Sequence, residues 1–325
     1  MKGFTLLDTT IAPLLEKVTT ELSKVVIGRR HETKLLLTAL LSKGHILLED
    51  LPGTGKTTLV KAFAKVLDCS FSRIQCTPDL LPSDVLGMSI YNPKTAEFTF
   101  RTGPIFNQIL LVDEINRALP RTQSSLLEGM EEHQVTIEGE TRSLQQPFLV
   151  MATQNPIEME GTFPLPEAQM DRFLMRIKLG YPSREEEEAM LKKVGDSLPF
   201  HALAPILTPA SILSLQEEAT KVFVHDEVIE YLVLLAQETR HHPLVSVGVS
   251  PRGSKALYKA LKAWALLAGR NHVLPDDVKE LVPYIWAHRM ELTMEASVSG
   301  KEPQAILHEI LEKTPIPLQA TGKTL

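Results

Sequence analysis

The sequence predicts an α/β fold, with a three-layer core around a mainly parallel sheet and an all-helical region after it. From Lys43 to about Gly180, short apolar runs alternate with segments of helical spacing, a pattern typical of parallel sheets covered by helices. After Tyr181-Pro182 only helical patterns follow. A chain of 325 residues has room for two such domains. We therefore expect a core over 1–181, a helical domain over 182–293, and a short helix with a polar tail over 294–325.

The elements of the core follow from its hydrophobic pattern. Residues 8 to 25 have the spacing of an amphipathic helix, and Gly28 breaks that pattern. Five apolar runs are the candidate strands of a parallel sheet: His45–Glu49, Phe71–Gln75, Ile109–Asp113, Phe148–Thr153 and Leu174–Leu179. Helical patterns lie between most of them, at Thr57–Leu67, Thr122–Glu132 and Glu167–Arg172.

Two stretches interrupt the alternation of strands and helices. Gly87–Pro104 contains a turn signal at Asn92-Pro93, and Gln134–Gln145 contains two β-like runs around Glu138-Gly139. Both stretches are predicted to be hairpins inserted into the core.

The region after residue 181 is predicted to contain helices only. Ser183 and Glu186 have the spacing of a capping box, and Thr208-Pro209 begins a second helix with proline in its first turn. The remaining helical patterns are Val224–Thr239, Pro251–Ala268, Pro275–Met290 and the shorter Ala305–Lys313.

Composition and charge exclude several classes of protein. Lys plus Arg number 34 and Asp plus Glu number 40, a formal net charge of −6, which argues against binding nucleic acid or an anionic membrane by charge alone. No apolar run reaches membrane-spanning length, and polar residues interrupt any signal-peptide core near the N-terminus. We therefore expect no membrane insertion and a cytoplasmic location, which two cysteines, Cys69 and Cys76, also fit.

The strongest local motif is LPGTGKT, Leu51–Thr57, between a candidate strand and a candidate helix. Glycines let backbone N–H groups wrap phosphate oxygens, and the helix N-terminus adds its positive end. Lys56 would reach the β- and γ-phosphates, and the Thr57 hydroxyl would bind magnesium. Asp50 replaces the first glycine of the usual pattern, and the alternative is a glycine-rich turn with a surface lysine. The predicted phosphate-binding residues are Pro52, Gly53, Thr54, Gly55, Lys56, Thr57 and Thr58.

A second motif, ILLVDE, ends an apolar run in two carboxylates. Ligands of parallel sheets bind at the carboxyl ends of the strands, so both side chains are expected there. Asp113 would hold magnesium and Glu114 would polarise the attacking water. Acids after a hydrophobic strand are common, and it is the phosphate loop upstream that makes this interpretation strong.

A third motif, MATQNP, places an amide at the end of the next strand. Asn155 can both donate and accept hydrogen bonds, so it could orient water and sense the γ-phosphate. The alternative is a plain Asn-Pro turn, which the same dipeptide favours.

Together these motifs resemble those of the AAA+ ATPases, and within them the MoxR family. The resemblance covers roughly residues 10 to 315. It is carried by VVIGRRHE at Val25–Glu32, TPDLLPSDVLG at Thr77–Gly87, LLVDEINRALPRTQSSLLEGMEEHQVTI at Leu110–Ile137, ATQNPIEMEGTFPLPEAQMDRFLMRI at Ala152–Ile177 and SPRGSKAL at Ser250–Leu257.

The resemblance implies roles for residues that composition cannot interpret. Val26, Ile27 and Gly28 would contact adenine, and the two hairpins would line the central face of a ring. Arg172 matches the arginine finger, which reaches the γ-phosphate of a neighbouring subunit, and Arg252 matches the sensor-2 arginine of the helical lid. From the residues alone, Arg172 could instead pair with a carboxylate, and Arg252 could be an ordinary first-turn residue.

Arg117 and Arg121 follow Asp113-Glu114 closely and are further candidates for a role between subunits.

The function that the resemblance implies is magnesium-dependent ATP hydrolysis, with ATP and Mg²⁺ as cofactors, by a homo-oligomeric, hexameric ring. Such a ring would remodel, assemble or insert metals into a client protein, beside a partner with a von Willebrand factor A domain. The alternative is a DNA-acting motor or transcriptional activator. The hairpins argue against it, because Tyr91–Arg101 has a net charge of +1 and Gln134–Gln145 of −1, whereas a pore that tracks DNA is expected to be basic. A GTPase switch or small-molecule kinase ranks third, since no Asn-Lys-x-Asp guanine motif is present.

Overall fold

The computed structural model describes residues 12–49, 54–155, 161–192 and 200–316. The strands in these ranges are β1 (Ile46–Glu49), β2 (Phe71–Gln75), β3 (Gly87–Asn92), β4 (Glu97–Thr102), β5 (Ile109–Asp113), β6 (Gln134–Ile137), β7 (Glu140–Ser143), β8 (Leu149–Gln154), β9 (Met175–Ile177), β10 (Val245–Val247) and β11 (Glu291–Leu292).

The α-helices are α1 (Ala12–Leu22), α2 (Arg30–Leu41), α3 (Lys56–Val66), α4 (Pro82–Leu86), α5 (Pro120–Glu132), α6 (Glu167–Met170), α7 (Arg184–Lys192), α8 (Pro209–Lys221), α9 (Asp226–His241), α10 (Pro251–Leu267), α11 (Pro275–Trp286), α12 (Met294–Val298) and α13 (Pro303–Lys313).

The core is a five-stranded sheet in the order β2-β5-β8-β1-β9. Every neighbouring pair is parallel, as the alternation of strands and helices predicted. β5 and most of β8 and β1 are buried, since helices cover a parallel sheet on both faces. All five candidate strands are therefore confirmed, although β9 is shorter than its apolar run.

The two predicted hairpins are confirmed as separate antiparallel pairs. β3 pairs with β4 from Gly87↔Thr102 to Asn92↔Glu97, and β6 pairs with β7. The Ser89 hydroxyl donates to the Glu138 carboxylate at 2.6 Å, and the Arg142 guanidinium lies 3.9 Å from the centre of the Phe100 ring. The hairpins are thus packed against each other as one unit.

The prediction of helices only after residue 181 is wrong in one detail. β10 and β11 form a two-stranded antiparallel sheet between α9 and α12. Strands of two or three residues are too short for an alternating pattern to be visible beside strong helical periodicity. The helices themselves are present, and none in the described ranges is long and apolar enough to cross a membrane.

Helix α2 was not predicted, and its burial explains why. Its residues from Leu35 to Leu41 are all buried, because α2 packs against α8 and α10 of the helical region as well as against α1. A helix covered on most sides lacks the polar face that makes a helical period visible. Through α2, one hydrophobic cluster continues from the sheet into the helical region.

Candidate functional site

The phosphate loop begins the site at the carboxyl end of β1. Gly55 has φ +83, a conformation that favours glycine, and the space beside its Cα is open, since an added Cβ would meet nothing within 4 Å. Lys56 begins α3, with Thr57 and Thr58 in its first turn, and the positive end of a helix attracts anions. This arrangement fits a phosphate group. Pro52 and Gly53 lie outside the described residues.

A cavity of about 520 Å³ adjoins the phosphate loop and fits a nucleotide base. Val26 and Ile27 line it together with Thr54, Gly55 and Thr58. The rest of its wall comes from Val25, Arg29, Leu59, Leu179, Tyr181, Pro182, Glu187, Met190 and Leu191. Largely apolar walls beside a phosphate cradle are what a base and its triphosphate need.

Gly28 is required by geometry on two counts. Its φ is +75, and an added Cβ would lie 1.7 Å from the Oε1 atom of Glu186. Glu186 in turn accepts a hydrogen bond from the Ser183 N–H at 2.8 Å, so the predicted capping box holds its carboxylate against Gly28. The segment before Gly28 is thus fixed next to the cavity.

The two acids after β5 lie at the same sheet edge and are held differently. Asp113 is buried and accepts from Arg73 Nε at 2.6 Å. Glu114 is in the left-handed conformation, φ 56, which is rare for this residue type. Its Oε2 atom accepts from Gln75 at 2.9 Å and from Arg117 at 3.0 Å. Arg117 therefore contacts the catalytic candidate of its own chain.

The sheet order brings Asn155 between the phosphate loop and the acids, because β8 lies between β1 and β5.

Thr153, also in β8, is important for the local geometry at the acids, although sequence reasoning missed it. Its hydroxyl accepts from the Glu114 N–H at 2.9 Å and donates to Asp113 Oδ1 at 3.3 Å. Thr153 thus stabilises the unusual backbone at Glu114. Burial and these carboxylates raise the pKa of the nearby Cys76 thiol to about 12, so it stays protonated.

Magnesium would find hard oxygen donors at this edge. Asp113 supplies a carboxylate and Thr57 a hydroxyl, the donor types that Mg²⁺ prefers when it also binds phosphates. The residues present therefore fit the predicted metal together with a nucleotide.

Arg172 lies at the opposite edge of the sheet. β9 pairs in parallel with β1 from Ile46↔Met175, so the residues before β9 lie where β1 begins, and Leu174 N–H donates to the His45 carbonyl at 2.8 Å. The phosphate loop follows the other end of β1, about 10 Å away along the strand. Arg172 is thus remote from the phosphate loop of its own chain.

Arg252 lies beside Arg172 and not beside the phosphate loop. Both line a cavity of about 610 Å³, which has no residue in common with the base cavity. Three lysines, Lys43, Lys259 and Lys262, also line it, with Glu131 as its acid. The predicted site residues therefore form two groups, with Glu114, Asn155 and the phosphate loop at one edge and the two arginines at the other.

Neither arginine is unpaired. Glu131 Oε2 lies 3.3 Å from Arg172 Nε, and Glu131 Oε1 accepts from Arg252 at 2.8 Å. A buried arginine that sequence reasoning missed, Arg289, donates to Asp171 Oδ1 at 2.6 Å and to the Phe173 carbonyl at 2.7 Å. The only local signal for Arg289 was its position at the end of an apolar helix.

Comparison with known proteins agrees with this geometry. The model of the ATPase family associated with various cellular activities (AAA) matches residues 45–175, and the model of the AAA lid domain matches residues 237–310. A solved structure of a protein from Cytophaga hutchinsonii, described as a candidate ATPase, has a TM-score of 0.90 at 39% identity, covering 96% of this chain and 97% of that one.

Several bacterial proteins are similar over nearly the whole chain. The uncharacterised protein YeaC of Bacillus subtilis is 52% identical over 95% of this chain and 97% of its own length. Chaperone MoxR1 of Mycobacterium tuberculosis is 42% identical over 93% of this chain and 82% of its own length. Protein MoxR of Paracoccus denitrificans is 34% identical over 84% of this chain and 87% of its own length. With an AAA core, an AAA lid and these relatives, the chain belongs to the MoxR family of AAA+ ATPases.

Proposed function

We propose that this protein hydrolyses ATP to ADP and phosphate in the cavity beside the phosphate loop, and that it does so as a homo-oligomeric ring, a hexamer by its family resemblance. The adenine would lie against Val26, Ile27 and Gly28. The phosphates would be bound by the loop from Pro52 to Thr58.

The residues at the carboxyl edge of the sheet would have different roles in ATP hydrolysis. Lys56 would neutralise the β- and γ-phosphates, while Thr57 and Asp113 would hold magnesium. Bound magnesium supplies charge neutralisation across the phosphate oxygens. Glu114 would accept a proton from the attacking water, and Asn155 would orient that water against the γ-phosphate.

The observation that carries the oligomeric part of the proposal is the position of the two arginines. Arg172 and Arg252 line a cavity at the amino ends of β1 and β9, whereas the phosphate loop follows the carboxyl end of β1. Charge that develops on the γ-phosphate can be stabilised by guanidinium groups only at hydrogen-bond distance. We therefore assign both arginines to the nucleotide of a neighbouring subunit.

We further propose a chaperone-like role, in which ATP hydrolysis remodels or assembles a client protein, including metal insertion, together with a von Willebrand factor A domain partner. One similar protein is named a chaperone. The hairpin β3–β4 exposes Tyr91 and Phe98, and exposed aromatic side chains are typical of surfaces that contact other proteins.

Mixed oligomers test the proposal directly. Lys56→Ala should abolish most ATP binding and leave the fold intact, since it removes the charge that contacts phosphate. Arg172→Ala should bind ATP normally but hydrolyse it slowly, by up to roughly 10³–10⁵-fold if it acts like other arginine fingers. Mixing the two inactive variants should restore part of the ATPase activity, because one supplies an intact pocket and the other an intact arginine. No recovery in oligomers that demonstrably contain both variants would contradict the assignment.

A further inference from the structure

Five ionised side chains form a continuous chain beside the arginine cavity, and their charges alternate. Asp171 Oδ1 pairs with Arg289 Nε at 2.6 Å, and Asp171 Oδ2 pairs with Arg252 Nε at 3.3 Å. Glu131 Oε1 then pairs with Arg252 Nη2 at 2.8 Å, and Glu131 Oε2 with Arg172 Nε at 3.3 Å. Each carboxylate thus uses its two oxygens to bridge two guanidinium groups.

This chain of ion pairs is anchored at one end and exposed to solvent at the other. The Arg289 side chain is only 4% exposed and also donates to the backbone carbonyls of Asp171, Phe173 and Leu174. Arg252, in contrast, is 50% exposed. Asp171 and its neighbour Arg172 are therefore fixed to the helical domain, while the ion pairs of Glu131 face solvent.

Glu131, like Asp171, forms an ion pair between the core and the helical region. It lies in the last turn of α5, Arg172 precedes β9, and Arg252 begins α10. Without an anion between them, the two guanidinium groups would repel each other. Arg172 would lose its contact with Glu131 and gain rotational freedom, and Arg252 would keep only its contact with Asp171. With Glu131 in place, the guanidinium groups of Arg172 and Arg252 are held next to each other, because each contacts a different oxygen of the same carboxylate.

We propose that Glu131 is a positioning residue that holds Arg172 and Arg252 as a pair, so that both meet the γ-phosphate of the neighbouring subunit together. This inference rests on the proposed function, since it needs both arginines to act across the subunit boundary. A phosphate also presents two oxygens to two guanidinium groups, so it can take over the bridge from Glu131.

The charge balance allows this exchange. The chain of ion pairs contains three guanidinium groups and two carboxylates. Lys43, Lys259 and Lys262 line the cavity beside it. Positive charge is therefore left over for an incoming phosphate. Exposed ion pairs are weak, so a phosphate can displace Glu131. The entropy cost of ordering the two arginine side chains has already been incurred before ATP arrives.

The test is Glu131→Gln in the full-length oligomer. We expect kcat for ATP to fall by roughly tenfold or more, since the two arginines lose their common anchor. The KM for ATP, the melting temperature and the oligomeric state should be unchanged, because each subunit's own nucleotide cavity is untouched. Glu131→Asp, which keeps the carboxylate, should recover most of kcat. Glu132→Gln is the matched control, because it changes the adjacent exposed glutamate outside the chain of ion pairs.

Coupling between the arginines separates positioning from a general structural role. With Glu131 present, Arg172→Ala and Arg252→Ala should be strongly non-additive, so that the double variant is little slower than the worse single variant. In the Glu131→Gln background the two losses should multiply. If Glu131 had only a structural role, the non-additivity of the two arginine substitutions would be the same in the Glu131→Gln background as in the wild type.

Two results would overturn the inference. One is a wild-type kcat in Glu131→Gln; the other is an equal loss of kcat in Glu131→Gln and Glu131→Asp with a matching fall in melting temperature. If these occur while Arg172→Ala and Lys56→Ala still complement each other, only the role of Glu131 is wrong. If that complementation fails, the proposed function is wrong as well.

Discussion

At the scale of single residues, Glu114 illustrates how much of the site depends on backbone geometry. Its left-handed conformation, φ 56, is of a kind that costs of order 1–3 kcal/mol and persists only when its surroundings hold it. Thr153 accepts from its N–H at 2.9 Å, and Arg117 N–H donates to its carbonyl at 2.8 Å. The backbone is thus held by groups other than the Glu114 carboxylate, whose contacts with Gln75 and Arg117 are separate from it.

This separation predicts the effect of Glu114→Gln. The amide keeps the shape of the side chain but accepts a proton far less readily, so we expect ATP turnover to fall by about 10²-fold or more. ATP affinity should stay near normal, since the phosphate loop is unchanged. Turnover by single-turnover kinetics and affinity by fluorescent-nucleotide titration measure the two effects separately. Equal turnover in the variant and the wild type would remove Glu114 from the catalytic assignment.

His45 gives a prediction about pH. It is buried, its Nδ1 atom accepts from the Val150 N–H at 3.0 Å, and its other ring nitrogen therefore donates to the Met130 carbonyl at 2.9 Å. Burial is the main cause that lowers the pKa of His45 to about 4. The unfolded chain therefore takes up a proton between about pH 6.5 and 4 that the folded protein does not.

The free energy of unfolding should consequently fall as pH decreases through that window, by about 1.4 kcal/mol per pH unit from this one group. His288, whose pKa is also lowered by burial and by Arg289, adds to the fall. Urea unfolding at pH 7.5, 6 and 5 measures the slope, and His45→Asn should make it smaller. An unchanged slope in that variant would mean that His45 does not titrate in this way.

At the scale of elements, the aromatic side chains near the tip of the hairpin β3–β4 and the one near its base have different surroundings. Tyr91 and Phe98 are paired across the strands, 5.3 Å between ring centroids, and are 52% and 73% exposed. Phe100, two residues from Phe98 on the same face, lies nearer the base of the hairpin, where it packs edge-on against Phe106 at 5.9 Å and under Arg142. The structure therefore separates two exposed aromatic rings near the tip from a packed ring near the base.

Replacing Tyr91 and Phe98 together by Ser should therefore leave the basal ATPase activity and the melting temperature nearly unchanged. We expect the loss of client-dependent behaviour, measured as suppression of the aggregation of an unfolded model protein in the presence of ATP. Phe100→Ser is the matched control, because it should lower stability by roughly 1–3 kcal/mol. A large loss of stability in the Tyr91 and Phe98 variant would favour packing over client contact.

At the scale of the whole molecule, the sheet separates the two halves of the proposed active site. The phosphate loop, Glu114 and Asn155 lie at its carboxyl edge, and Arg172 and Arg252 lie near its amino edge. A complete site then requires two copies of the chain.

The specific ATPase activity should accordingly rise with protein concentration and level off once oligomers dominate. Dilution below the assembly concentration should lower it towards the activity of Arg172→Ala, while nucleotide binding per subunit should change much less. Parallel measurements of activity and of mass by light scattering over a dilution series make the comparison. A specific activity independent of concentration while the mass falls to that of one chain would contradict a shared site.

The sequence by itself determined the elements that local patterns encode. The five buried strands, the phosphate loop at Gly55-Lys56 and the acids after β5 follow from apolar runs and short motifs, since these depend on neighbours in the chain. The two hairpins were also predictable from turn residues at Asn92-Pro93 and Glu138-Gly139.

Only the tertiary structure decided how distant residues meet. Helix α2 lacks a visible period because neighbours cover it on most sides, and β10 and β11 pair across more than 40 residues of chain. The contacts of Glu131 with Arg172 and of Arg289 with Asp171 join residues far apart in sequence. No local pattern marks such pairs, because an ion pair needs only two opposite charges that folding brings together. For that physical reason, the sequence predicted candidate site residues motif by motif, and the fold decided at which edge of the sheet each of them lies.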